Sequence, residues 1–306
     1  MKKTLVALAA LAVVGAAFAQ STVTMYGVAD LSVAKRTGVD AGVSGNGLLN
    51  NGNSRLGVRG TEDLGGGLKA SFNFEQSVNA ENGLTDARTW QRAANLSLSG
   101  NFGSVQAGRA LTPSFWGVYA WELTNTANYS VVASQFGFAG AAPRNNGFIS
   151  YTTPSMGGLT ATIGTGFRNA ANDLKTDLNV IYAAGPLTAA LSYNRYPGTG
   201  AGTGSNAALG AKYNFGTFQV AGSLQDPAGA KKGFTIGAGA NLGPVSLVVD
   251  IARDTSTLTK NTDLLLEAKY PLSKRTFAYG AYQRDGSSVV GVAGVNTYGV
   301  GLRHNF

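Results

Sequence analysis

The chain contains no cysteine, which excludes disulfide frameworks, thiol catalysis and Cys-ligated zinc together. Its one histidine, His304, lies three residues from the end, so a Ser-His-Asp arrangement would depend on it entirely. A histidine-based metal site also needs more ligands than one imidazole, and no cofactor or metal is expected. Charge is scarce, at 13% of 306 residues. Beyond the N-terminus no segment approaches about 18 consecutive apolar residues, the least a membrane-spanning helix requires. A mean hydropathy of +0.01 is likewise far too low for a helical bundle in lipid. Yet 44% of residues are hydrophobic, and aromatic and β-branched residues run through the whole length, which argues against disorder. Glycine is abundant instead, at 43 residues, roughly double its usual share.

Residues 1–19 stand apart. Lys2 and Lys3 form a basic start, Thr4 to Ala16 is apolar, and Ala17-Phe18-Ala19 is an A-x-A cleavage signature before Gln20. The pattern predicts a cleaved secretory signal peptide, with residues 20–306 as the exported domain. A membrane anchor would need about 20 apolar residues. Losing the two lysines lowers the formal charge from +8 to +6, so the exported part stays mildly basic.

Short alternation dominates the rest. Leu68, Ala70, Phe72 and Phe74 alternate with Lys69, Ser71, Asn73 and Glu75; Tyr298, Val300, Leu302, His304 and Phe306 alternate with Gly299, Gly301, Arg303 and Asn305. Period two with one apolar and one polar face signals a half-buried strand. The pattern predicts sixteen strands, near 23–33, 53–60, 68–77, 88–99, 104–110, 147–153, 159–168, 175–183, 187–196, 206–215, 217–225, 233–241, 245–252, 260–270, 276–284 and 296–306. Connections alternate between tight ones ("NFG" at 101–103, "AGP" at 184–186, "NLGP" at 241–244) and long ones (34–52, 78–87, 111–146, 197–205, 226–232, 253–259, 285–295). A soluble sandwich has no reason to keep long loops at one end of every hairpin, whereas an outer-membrane barrel does. Closure also leaves no unpaired backbone edge in lipid. Trp90, Phe167, Tyr182, Tyr213, Phe215 and Phe306 suit aromatic girdles at the two interfaces.

Several stretches resemble a known family, the general bacterial porins of the betaproteobacterial and neisserial branch. They are "VTMYGVADLSV" at 23–33, "SRLGVRGTEDLGGGLKASFNFEQ" at 54–76, "LSLSGNFGSVQAGRALTP" at 96–113 and "YGVGLRHNF" at 298–306. The resemblance implies a sixteen-stranded antiparallel barrel, assembled as a homotrimer in outer-membrane lipid and lipopolysaccharide, that passes small hydrophilic solutes. It also implies that the terminal Phe306 is the signal read by the barrel-assembly machinery, and that the long third loop folds into the lumen as a constriction. Residues 111–146 are the longest span without a confident strand, and their aromatic content suits a packed loop.

In such porins a cluster of wall arginines faces acidic groups on that loop. By local motif the arginines match Arg55 in "SRLG", Arg92 in "RTWQRAANLSLSG" and Arg144 in "PRNNGFISY", with Arg59 as a neighbour. Alternation agrees for Arg55 and Arg59, which oppose Leu56 and Val58. It does not agree for Arg92, which shares parity with Leu96 and Leu98. Either a bulge intervenes, the favoured option, or Gln91 takes the inward position. Acid is the scarce component. Between Arg88 and Asn172 the one carboxylate is Glu122, against Arg88, Arg92, Arg109, Arg144 and Arg168. Rings of arginine favour anions, so an anion-preferring pore is expected.

The alternatives are a substrate-specific sugar or organic-anion channel, with the aromatics of 115–138 as its track, and a structural or adhesin-like barrel. The glycine runs "LGGGL" at 64–68 and "GTGAGTG" at 198–204 match no nucleotide-binding motif. Dispersed basic charge on an exported chain does not point to nucleic acid. No local motif supports catalysis.

Overall fold

The computed structural model describes residues 22–47, 49–140, 142–166, 174–196, 204–287 and 293–306. The expected signal peptide and the girdle residue Phe167, together with Arg168, lie outside these. One antiparallel sheet accounts for almost everything described. Its segments are β1 (Thr22–Arg36), β2 (Val39–Ser44), β3 (Arg55–Gly65), β4 (Leu68–Ser77), β5 (Ala93–Gly100), β6 (Gly103–Leu111), β7 (Arg144–Thr152), β8 (Leu159–Gly166) and β9 (Lys175–Ala184). The remainder are β10 (Leu187–Tyr196), β11 (Gly204–Asn214), β12 (Phe218–Asp226), β13 (Gly233–Leu242), β14 (Val245–Asp254), β15 (Thr262–Pro271), β16 (Thr276–Asp285) and β17 (Val295–Asn305).

Apart from β2 and β3, each strand pairs with its chain neighbour, and β17 returns to β1 from Val28↔Asn305 to Arg36↔Thr297, which closes the sheet into a barrel. On its other side β1 pairs with β3 through Thr22–Val28 and with β2 through Ser32–Arg36. The segments β2 and β3 therefore share one wall position, and seventeen segments make a sixteen-stranded barrel. The seam includes the last residue: the Phe306 N–H donates to the Gly27 carbonyl (3.1 Å) and the Gly27 N–H to the Phe306 carbonyl (3.0 Å). The Phe306 ring lies over Gly27, where a Cβ would come within 2.3 Å of it.

The two faces of the wall are inverted relative to a soluble domain. Leu31, Val33, Leu96, Leu191, Leu209, Leu224, Ile236 and Val300 are exposed, while Asp30, Asn179, Ser192, Asn194, Ser223 and Glu267 are buried. Such alternation suits lipid outside and water or protein inside. No helix among the described residues is long and apolar enough to cross a membrane.

Two predicted features are corrected. The strand expected at 88–99 begins only at Ala93, and residues 87–92 form turns and bends. Trp90, placed on that strand as a girdle residue, lies outside it, although its ring still packs on Phe74 at 5.5 Å. The span 34–52 is not all loop. The end of β1 and all of β2 continue the hairpin there, with Val39 and Val43 exposed on the apolar face.

Between β6 and β7 the chain crosses the polar face of the wall. Helix α1 (Pro113–Trp121) starts where the sequence offers a cap and a proline: the Phe115 N–H donates to Thr112 Oγ1 at 3.2 Å, and Pro113 opens the first turn. Ser114, Gly117, Val118 and Trp121 turn to the wall at helical spacing. The approach is close because of two glycines. A Cβ on Gly117 would meet the Ser192 hydroxyl at 2.1 Å, and one on Gly210 would meet the Trp121 indole at 2.2 Å. Helix α2 (Val131–Phe136) packs further round, with Val131 and Phe136 against Ala252, Leu265 and Tyr279.

Candidate functional site

Side chains of the wall and of the 112–143 crossing enclose one polar cavity of about 850 Å³. The wall contributes β1, β3, β4, β5, β6, β7, β15, β16 and β17; the crossing contributes Phe115, Trp116, Tyr119, Asn125 and Phe138. Arg55 leads β3, and the pleat turns it inward with Gly57 and Arg59, while Leu56 and Val58 face outward. Glu75 on β4 pairs across from Gly57 and is the centre of a charge cluster. Arg92 Nε lies 2.6 Å from Glu75 Oε1, Arg55 Nε lies 3.4 Å from Oε2, and the Tyr26 hydroxyl donates to Oε2 at 2.9 Å. Arg144, the first residue of β7, donates from Nε to the Arg92 carbonyl at 2.8 Å. Arg59 stacks over the Tyr26 ring at 4.8 Å.

All four predicted arginines thus border the cavity. Arg92 reaches it by a route that alternation did not supply. Its N–H still bonds the Glu75 carbonyl at 3.1 Å, yet it precedes β5, whose pairing with β4 runs without a register shift. Gln91, the other option, is not among the residues that border the cavity, and its carbonyl accepts from the Arg109 guanidinium.

Glu122 is elsewhere. It is 1% exposed at the C-terminus of α1 and accepts from the Thr124 N–H (2.9 Å), the Thr124 hydroxyl (2.6 Å), the Thr126 N–H (2.7 Å) and the Ser130 hydroxyl (2.8 Å). Four local donors hold this carboxylate inside the crossing, and it does not border the cavity. Three charged residues were not assigned to the site from sequence: Glu75, Arg303 and Lys269. Each had a signal, since each alternates with apolar neighbours on a strand that was recognised. With them the cavity is bordered by six basic side chains and one carboxylate. Lys269 is matched by the buried Glu267 at 2.9 Å.

The crossing is tied down at both ends. Asp177 accepts from the Ser114 N–H (2.6 Å), the Ser114 hydroxyl (2.9 Å) and the Tyr196 hydroxyl (2.7 Å). Further along, the Tyr129 hydroxyl donates to Glu267 Oε2 at 2.6 Å, and burial together with that carboxylate pushes the Tyr129 hydroxyl well above the ordinary tyrosine range. It therefore stays protonated and remains a donor. A second inward excursion, residues 45–47 and 49–54 between β2 and β3, meets the same tether. Asn51 Nδ2 donates to the Tyr129 hydroxyl (2.9 Å), Arg303 Nη1 donates to Asn51 Oδ1 (2.8 Å), and Asp30 accepts from Asn50 Nδ2 (3.2 Å) and the Gly52 N–H (3.1 Å).

Comparison with known proteins agrees with this architecture. The family model described as "Gram-negative porin" matches residues 4–288. Outer membrane porin protein 32 of Delftia acidovorans is 36% identical over 92% of this chain and 88% of its own length. The major outer membrane protein P.IB of Neisseria meningitidis serogroup B is 38% identical, over 36% of this chain and 34% of its own. Among solved structures, an anion-selective porin from Comamonas acidovorans superposes with a TM-score of 0.77 at 30% identity, covering 94% of this chain and all of that one. A closed sixteen-stranded barrel with an apolar exterior and a polar, arginine-lined interior, matched in sequence over nearly its whole length, belongs to the Gram-negative porin family of the outer membrane.

Proposed function

We propose that residues 20–306 form a general diffusion porin whose water-filled lumen prefers anions, with the 111–146 crossing as its constriction. Arg55, Arg92, Arg144 and Arg59 are the wall side of that constriction. The observation that carries the reading is the charge around the cavity, six basic side chains against Glu75 alone. Low-dielectric walls focus such a field and concentrate counter-ions. Arginine suits the task because it stays charged at every relevant pH and meets carboxylate or phosphate with a planar fork. Glu122 does not border the cavity, and its oxygens accept from loop donors.

Family membership supports assembly as a homotrimer, with lipid and lipopolysaccharide on the apolar exterior. The place of Phe306 in the closing seam is consistent with a role in recognition by the assembly machinery. Liposome swelling tests the transport reading. Uptake of many small solutes that falls smoothly with solute size is expected; a saturating response to one sugar would make this a specific channel, and no uptake would leave a structural barrel. Within the cluster, Glu75→Gln removes the carboxylate that Arg55 and Arg92 share. It is expected to increase chloride preference in bilayer recordings at low salt and to lower it under no condition.

A further inference from the structure

The lumen-facing side of α1 is apolar and open. Trp116 is 44% exposed and Tyr119 37% exposed, and both border the polar cavity. They sit three residues apart on the helix face opposite to the wall contacts of Gly117, Val118 and Trp121. Neither ring is needed to hold the helix, because the tether runs through Ser114 and its bonds to Asp177. The rings are nevertheless fixed relative to one another. Trp116 and Tyr119 meet edge-on with centroids 5.3 Å apart, and Phe115 supports Trp116 at 5.6 Å and Phe138 at 4.7 Å. Large aromatic surface left open to an aqueous passage is costly in water and is normally covered by something apolar. The same cavity is bordered by Arg55, Arg92 and Arg144.

We infer that this cavity is a transit site for planar aromatic carboxylates, whose ring stacks on Trp116 and Tyr119 while the carboxylate is held by the wall arginines. The inference rests on the anion-preferring pore proposed above and names the class of anion that it favours. A planar ring gains the offset or edge-on aromatic contacts that a saturated ring of equal charge does not. The guanidinium fork then takes the carboxylate in its plane. A volume of about 850 Å³ lies in the range of small-ligand sites, so such an anion passes with water around it.

Benzoate and cyclohexanecarboxylate, equal in charge and similar in size, separate ring stacking from charge and from simple apolar contact. In planar bilayers carrying chloride current, benzoate is expected to halve that current at a concentration about 3- to 10-fold below that of cyclohexanecarboxylate. Trp116→Leu and Tyr119→Leu each keep apolar surface without a stackable ring, and each is expected to bring the two acids closer together. Discrete single-channel chloride current steps, whatever their size, show that a variant has folded and inserted. Equal action of the two acids on the unmodified pore overturns the inference, as does a benzoate advantage that survives in both variants. The reversal potential in KCl alone, read on the same bilayers, reports the underlying anion preference separately.

Discussion

Arg55→Glu, Arg92→Glu and Arg144→Glu together are expected to change the sign of the reversal potential in a KCl gradient. The cavity is bordered by Arg55, Arg59, Arg92, Arg144, Arg303 and Lys269 against Glu75. The triple change leaves three basic side chains facing four carboxylates. Focused fields of this kind alter local ion concentration by about tenfold or more, so the chloride-to-potassium permeability ratio is expected to fall by at least that factor. Arg55→Glu alone should weaken the preference by less, because Arg92 keeps its bond to Glu75. The effect should shrink as KCl approaches 1 M, where the screening length is only about 3 Å. A reversal potential that the triple change leaves unaltered would place these arginines off the conduction path.

Asp177→Ala should unseat the crossing. This carboxylate is fully buried and accepts from two donors on Ser114 and from Tyr196. Its loss strands three donors between α1 and the wall, a cost of roughly 3 kcal/mol or more. Most of the barrel's strand pairing is untouched, so the protein should still insert as a pore. The expected signature is electrical: a larger mean conductance, rapid flicker as the crossing samples detached positions, and weaker ion selectivity. Asp177→Asn keeps one acceptor oxygen and should lie between. Quiet, unchanged single-channel current in Asp177→Ala would mean that Asn179, Ser192 and the Tyr129 tether hold the crossing without it.

The wall was legible in the sequence because lipid on one side and water on the other write an alternating pattern along each strand. Leu56 and Val58 against Arg55 and Arg59 is the pattern in miniature, and it gave the orientation of both arginines. Alternation fails where pairing stops. Arg92 precedes the first paired residue of β5, so the pleat does not govern its direction. The carboxylate partner was misplaced for a different reason. Glu122 lies in the right segment, but its carboxylate does not border the cavity and turns to Thr124, Thr126 and Ser130, contacts that a spacing argument does not show. Glu75 lies on a wall strand whose alternation is plain, on the face opposite Phe74, but it is remote in sequence from the crossing that it faces. The excursion of 45–47 and 49–54 carries no charge and no period. Its inward course is set by Asp30, Tyr129 and Arg303, residues remote in sequence from one another.

The reversal potential of the unmodified pore in a KCl gradient addresses the account most directly. A lumen bordered by six basic side chains and one carboxylate should give a potential whose sign is set by chloride, growing as the salt is diluted. A potential set by potassium would contradict it.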